Sequence, residues 1–119
     1  MLNVTAAAIH LCLAPTDMRK GFDGLAALVR EHLQSDPLSG AWFVFRSRRG
    51  DRLKILYWDA DGYAIWQKRL EVGTFEFPKV EAGADRVEVG VTALSLILGG
   101  IDLASAKRRQ RFSRERSAT

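Results

Sequence analysis

The fold is decided by residues 41–71, which read Ala-Trp-Phe-Val-Phe-Arg-Ser-Arg-Arg-Gly-Asp-Arg-Leu-Lys-Ile-Leu-Tyr-Trp-Asp-Ala-Asp-Gly-Tyr-Ala-Ile-Trp-Gln-Lys-Arg-Leu-Glu. Three runs in this stretch have the composition or the alternation of strands: 41–46, 52–58 and 63–71. Gly50 lies in the first turn between them, and the second turn ends with Asp61-Gly62, a strong short hairpin signal. The stretch therefore predicts three antiparallel strands in a meander.

The chain before this meander predicts one strand and one helix. Residues 9–13 alternate between apolar and more polar side chains, which is typical of a short half-buried strand. From Phe22 onward, apolar residues recur at offsets of 3, 6, 7 and 11, and these positions share one face of a helix. We expect Thr16 or Asp17 to be its N-cap, and we expect the helix to stop before Pro37.

The chain after the meander predicts one more strand and a second helix. Residues 86–89 form the strand, and residues 92–98 form the helix, with Thr92 as N-cap and Gly99-Gly100 as its stop. The sequence thus predicts an α+β fold, in which a small antiparallel β-meander packs with about two helices.

Two segments are expected along the chain, a single domain over 1–103 and a basic tail over 104–119. No Leu, Ile or Val follows Leu103, so we expect the tail to be disordered when it is free.

The composition limits the classes of protein to which this chain can belong. Its 119 residues have room for one small domain. Its single cysteine, Cys12, cannot form an internal disulfide, and it has no partners at the spacing of a zinc site. The longest apolar runs fall far short of the roughly 20 residues that span a bilayer. We therefore expect a cytoplasmic protein with no membrane partner, no metal and no cofactor.

The net charge of +4 is distributed unevenly along the chain. Residues 1–102 hold 12 Lys/Arg and 13 Asp/Glu, whereas residues 103–119 hold 6 basic residues and only Glu115 as an acid. A nearly neutral body with a basic tail is common among proteins that meet polyanions, and also among proteins whose tail keeps them soluble.

Two groups of basic residues are candidate contacts to nucleic acid. The first is at the predicted hairpin tip: Arg46, Arg48, Arg49, Arg52 and Lys54. The second is in the tail: Lys107, Arg108, Arg109, Arg111, Arg114 and Arg116. If both groups met about 8 phosphates, log K would fall with log salt at a slope near −7 on duplex DNA. The alternatives are a solvated turn and a tail that aids solubility or binds an acidic protein.

Seven aromatic residues follow the predicted strands: Trp42, Phe43, Phe45, Tyr57, Trp58, Tyr63 and Trp66. Aromatic side chains on a sheet beside basic residues can stack on single-stranded bases. Packing in the core is the favoured interpretation, because the domain has few other large residues with which to build one.

Signals for catalysis are sparse. Asp59 and Asp61 resemble a metal-binding pair, but they stand where a hairpin turn needs such residues. His10 and His32 have no ligand spacing and no nucleophile motif beside them. We therefore predict no catalytic residue. A metal-dependent nuclease that uses scattered aspartates, including Asp17 and Asp23, is the enzymatic alternative.

Several segments together resemble a known family. They are 16–25 (Thr-Asp-Met-Arg-Lys-Gly-Phe-Asp-Gly-Leu), 43–46 and 48–54, 58–62 (Trp-Asp-Ala-Asp-Gly), and 68–71 with Gly73 and Phe75. In this order they resemble the TnpB (Orf2-like) accessory proteins of the insertion sequence 66 transposon family. The chain departs from that family at Ala60, where a glycine is usual, and at Phe77-Pro78, where Trp-Pro is common.

The resemblance implies an accessory role in DNA transposition beside a separately encoded transposase, and it supplies no catalytic residues. DNA at the transposon ends and the transposase are therefore the expected partners. Under this hypothesis the basic tip and tail contact DNA, and Asp17, Arg19, Lys20 and Gly21 form a contact to a partner or an anion. The alternative is an adaptor that binds the transposase through residues 16–24 and an exposed aromatic face, without binding DNA.

Overall fold

The computed structural model describes residues 8–100, and it contains five strands and two helices. In chain order they are β1 (Ile9–Cys12), α1 (Phe22–Glu31), β2 (Trp42–Arg46), β3 (Arg52–Asp59), β4 (Gly62–Arg69), β5 (Arg86–Val89) and α2 (Val91–Gly99). The predicted α+β class is confirmed. The predicted tail over 104–119 lies outside the described residues.

All five strands form one sheet with the order β4-β3-β2-β1-β5. The predicted meander is present, because β3 pairs antiparallel with both β2 and β4. The sequence did not predict that β1 lies between β2 and β5. β1 runs parallel to β2, and the connection between them contains α1, which makes a β-α-β unit.

Helices cover both faces of the sheet, so the domain has two apolar layers. The buried layer on the α1 side contains Cys12, Leu25, Ala26, Val29, Leu33, Ala41, Phe43, Phe45 and Leu56. The buried layer on the α2 side contains Ile9, Leu11, Trp42, Val44, Leu53, Ile55, Leu70, Phe75, Leu94 and Ile97. β1 contributes to both layers, so the prediction of a half-buried strand was wrong. A central strand with a helix on each face is buried on both faces.

The helix starts differ from the predicted N-caps. Gly21 caps α1 and Gly90 caps α2, in each case without a side-chain hydrogen bond. Asp17 does not cap α1, because its Oδ1 accepts a hydrogen bond from the Arg19 backbone N–H in a local turn before the helix. The predicted stop of α2 is confirmed, since Gly100 adopts the left-handed conformation at its C-cap with a φ of 82°.

The turn between β3 and β4 is strained at Ala60. Asp59 pairs with Gly62 across the turn, and the Asp61 N–H donates to the Asp59 carbonyl oxygen. Ala60, between them, has a φ of 57°, a conformation that costs a residue with a Cβ about 1–2 kcal/mol.

We therefore predict that Ala60→Gly raises the free energy of unfolding by about 0.5–1 kcal/mol, because glycine relieves this strain at some cost in chain entropy. Urea denaturation measures the change. Ala84→Gly is the matched control, because Ala84 is also in a turn but has no positive φ; it should lower the free energy of unfolding. A loss of stability in Ala60→Gly would contradict this interpretation of the turn.

Candidate nucleic-acid interface

The segment between β1 and α1, residues 13–21, is fixed against the hairpin formed by β2 and β3. The Thr16 N–H donates to the Arg46 carbonyl oxygen at 2.9 Å. The Lys54 ammonium on β3 donates to the carbonyl oxygens of Met18 at 2.9 Å and of Lys20 at 2.8 Å. These bonds bring together two candidate groups, Asp17–Gly21 and the hairpin tip, that are about 30 residues apart in the sequence.

The tip of this hairpin is a tight turn that exposes two arginines. The Gly50 N–H donates to the Ser47 carbonyl oxygen, so Arg48 and Arg49 occupy the centre of the turn, where both are exposed. Gly50 has a φ of 82°, and a Cβ there would lie 3.3 Å from the Cβ of Thr74. Glycine is therefore required for both the backbone conformation and the close packing of the turn.

A cleft of about 500 Å³ lies between the tip and the 13–21 segment. Its lining residues are Pro15, Thr16, Asp17, Met18, Arg19, Ser47, Arg48, Arg49, Asp51 and Arg52. A second cleft of about 430 Å³ shares Met18 and Arg52 with the first, and it is also lined by Leu53, Lys54, Gln67, Lys68, Arg69 and Glu71. We call the two clefts together the basic surface, because they carry seven basic and three acidic side chains.

Two arginines of the basic surface lie directly opposite each other. The β3–β4 register pairs Arg52 with Arg69, and it pairs Lys54 with Gln67 two residues further along β3. Like charges at directly opposed positions of a sheet destabilise it. Among residues 8–100 no carboxylate lies within ion-pair distance of Arg48, Arg49 or Arg52.

Acidic side chains offset part of the positive charge. The Asp17 carboxylate binds the Arg19 guanidinium, with 2.8 Å between Oδ2 and Nη2. This bond holds the pKa of Asp17 well below its usual range, so the carboxylate stays charged at neutral pH. Glu71 contacts Arg69 at 3.2 Å, but both side chains remain mostly exposed to water. Exposed ion pairs of this kind are weak, so a phosphate can compete for either arginine.

Arg46 is separated from the other basic residues of the predicted tip. Its side chain is half-buried, and its Nη1 donates to the Phe75 carbonyl oxygen at 3.0 Å. Its guanidinium carbon lies 4.1 Å from the centre of the Phe77 ring. Burial lowers the pKa of Arg46 from its ordinary value. The structure therefore gives Arg46 a packing role beside residues 75–77, and Arg46 does not line the basic surface.

The remaining candidate residues have different positions. Lys20 is half-buried, and its Cβ would lie 3.1 Å from a Cβ added at Gly24. Gly21 is the N-cap of α1 and has extended backbone angles, with a φ of −102°. The six basic tail residues, from Lys107 to Arg116, lie outside the described residues.

Sequence reasoning missed the contribution of β4 to this surface. Lys68 and Arg69 line the second cleft but were not among the candidates. The sequence contains the information needed to find this contribution, because counting residues outward from the Asp59–Gly62 turn along both strands places Arg69 opposite Arg52.

The aromatic residues divide into a buried and a half-buried group. Trp42, Phe43 and Phe45 are 1–4 % exposed and belong to the core. Trp58 and Tyr63 are half-buried and meet edge to face, with 5.1 Å between their ring centres. They flank the β3–β4 turn, at the opposite end of that hairpin from Arg52 and Arg69.

Two observations on the described residues bear on the enzymatic alternative. Residues 8–100 contain no group of three or more His, Cys, Asp or Glu side chains arranged to hold a metal ion. Burial raises the pKa of the Cys12 thiol to about 12, so this thiol is not a nucleophile at neutral pH.

Neither helix among residues 8–100 is long and apolar enough to cross a membrane.

Comparison with known families identifies the chain. The sequence model of the family described as IS66 Orf2-like protein, TnpB_IS66, matches residues 7–108. The chain belongs to the IS66 Orf2-like family. Membership suggests an accessory role in transposition and implies association with the IS66 transposition machinery.

Two similar relatives of this IS66 Orf2-like chain come from Sinorhizobium fredii (strain NBRC 101917 / NGR234). One, described as uncharacterized protein y4jC, is 42% identical over 101 residues, which cover 85% of each chain. The other, described as uncharacterized protein y4hO, is 45% identical over 94 residues, which cover 79% of this chain and 80% of the relative. No solved structure is significantly similar to the chain.

The contacts of Lys54 predict that its ammonium is needed for stability. Lys54→Met keeps most of the side-chain length but removes the two bonds to the Met18 and Lys20 carbonyl oxygens. Bonds from a charged donor contribute about 1.5–3 kcal/mol, so we expect the free energy of unfolding to fall by roughly 1–3 kcal/mol. Urea denaturation measures the change.

The matched control is Lys68→Met on the same surface, because Lys68 is exposed and makes no ion pair with a described residue. It should change the free energy of unfolding by less than about 0.5 kcal/mol. If the two variants lose equal stability, Lys54 does not hold the 13–21 segment in place.

Proposed function

We propose that this IS66 Orf2-like protein is a non-catalytic accessory subunit of transposition that binds duplex DNA through its basic surface. In this proposal Arg48, Arg49 and Arg52 contact the phosphates, with Arg19 and Arg69 beside them. The basic residues between Lys107 and Arg116 add further phosphate contacts, as the sequence predicts.

The opposed pair Arg52 and Arg69 is the observation that carries the proposal. Opposed arginines repel each other across a sheet, and of these two only Arg69 has a carboxylate within ion-pair distance among the described residues. A bound phosphate reverses the sign of the interaction, because each guanidinium then donates to an anion rather than repelling its neighbour. The clefts beside this pair provide an open surface for a phosphate backbone.

The turn of the β2–β3 hairpin suits contact with a phosphate backbone. β2 and β3 are internal strands of the sheet, so the hairpin offers DNA its turn, and the turn at Ser47–Gly50 exposes two arginines. Lys54 then acts as a positioning residue, since its bonds hold the Asp17–Lys20 side of the cleft in place. Contacts to phosphates predict binding with little sequence preference and strong dependence on salt.

A second candidate function is an adaptor that binds the transposase directly. Phe22 supports it, because this large apolar residue begins α1 within the 16–24 segment and is 50 % exposed. An exposed aromatic residue beside a fixed loop is typical of a protein contact. This function predicts co-purification with the transposase that is insensitive to salt, and no affinity for DNA.

Fluorescence anisotropy with a random duplex tests the DNA-binding proposal. We expect the full chain to bind, with log K falling linearly as log salt rises. In the triple variant Arg48→Ala/Arg49→Ala/Arg52→Ala, the slope should be shallower by about 3, because each lost phosphate contact contributes about 0.9.

The control variant Arg30→Ala/Lys79→Ala removes two exposed charges that line neither cleft. Its slope should match that of the unmodified chain. DNA binding by the triple variant that equals that of the control would contradict the proposal. Salt-insensitive binding to the transposase without any affinity for DNA would favour the adaptor.

A further inference from the structure

The two edges of the sheet differ in how they are protected from pairing. β5 forms one edge with four residues, and two of them, Arg86 and Glu88, are charged. β4 forms the other edge with eight residues. Short strands, charges, prolines and bulges are the usual devices that prevent an edge from pairing with another chain. β5 has two of these devices.

β4 has few of them along most of its length. Residues 62–67 contain no charged residue and no proline, and the pairing with β3 runs without a bulge from Gly62 to Arg69. Within residues 8–100, the backbone of β4 pairs with β3 alone. Every second residue of such an edge directs its N–H and C=O groups away from the sheet, where they can accept another strand.

We propose that β4 pairs with β4 of a second copy of this chain to form a continuous ten-stranded sheet. The pairing is antiparallel, with Ile65 on the twofold axis. Side chains alternate between the two faces of a strand, and residues opposite each other in a strand pair lie on the same face. Each apolar layer of one copy therefore continues into the same layer of the second copy only when the twofold axis passes through a residue. Ile65 is the position at which charge and size both match.

The charges at the two ends of β4 are complementary in this register. β4 has an acid at its start, Asp61 in the preceding turn, and bases at its end, Lys68 and Arg69. With Ile65 on the axis, Asp61 lies opposite Arg69 of the second copy, and this pair occurs twice in the dimer. Moving the axis to Trp66 would place Asp61 opposite Glu71, another acid. The charge pattern therefore selects antiparallel pairing about Ile65.

The sizes of the opposed side chains are also complementary in this register. In the same register, Ala64 lies opposite Trp66 of the second copy, and Tyr63 lies opposite Gln67. Trp66 and Tyr63 are half-buried within one chain, so each has surface left to bury against a neighbour. A small residue opposite a tryptophan leaves room for the indole ring.

The dimer would place both α1 helices on the same face of the extended sheet, because the twofold axis is perpendicular to the sheet.

The proposed dimer does not depend on DNA binding, since it rests on the edge of β4 alone. It is tested without nucleic acid, so its outcome is independent of the proposed function.

Sedimentation equilibrium of the full chain without DNA is the test. We expect a monomer–dimer equilibrium with a dissociation constant in the micromolar range, as is usual for a small interface. A chain that remains monomeric at about 200 µM, well above such a constant, would overturn the proposal, whatever other segment or partner covers β4.

Charge reversal tests the register. Asp61→Arg and Arg69→Asp each oppose like charges twice, so each should weaken the dimer by about tenfold. The double variant Asp61→Arg/Arg69→Asp restores opposite charges and should recover most of the affinity. Glu88→Arg on β5 is the control and should leave the dimer unchanged. A dimer that both single reversals leave intact uses another surface, and the proposal is then wrong.

Discussion

The candidate site depends on the ammonium of Lys54 and the two carbonyl oxygens that it binds. A lysine in the middle of β3 would ordinarily reach into solvent, but this one lies under the 13–21 segment and donates to Met18 and Lys20. Those carbonyl groups precede the first turn of α1, where no side chain caps the helix. Together with the Thr16–Arg46 backbone bond, this charged group holds the loop before α1 and one wall of the larger cleft.

The arrangement of the sheet explains why the basic residues gather at one place. β2 and β3 carry the turn with Arg48 and Arg49, and the register of β4 adds Arg69 opposite Arg52. The β-α-β unit brings Asp17 and Arg19 to the same end of the sheet, through the bond between Thr16 and Arg46. Like charges gathered in this way repel one another, and under the proposed function a bound polyanion would relieve that repulsion.

Much of the fold could be predicted from the sequence, because the meander at residues 41–71 and α1 follow from local periodicity and turn residues. The place of β1 could not be predicted this way, since parallel pairing with β2 joins residues more than 30 positions apart. For the site, the sequence predicted a basic hairpin tip, but it did not predict the different contacts of Arg46. Those contacts, with Phe75 and Phe77, are long-range.

Under the proposed function, the 16–20 segment and the 47–54 hairpin form one binding surface. Titration of the ¹⁵N-labelled chain with a short duplex, followed by NMR, tests this arrangement. We expect amide signals from Asp17 to Lys20 and from Ser47 to Lys54 to shift together, with one shared dissociation constant. Shifts confined to one of the two segments, or shifts centred on the Trp58–Tyr63 end of the sheet, would contradict it.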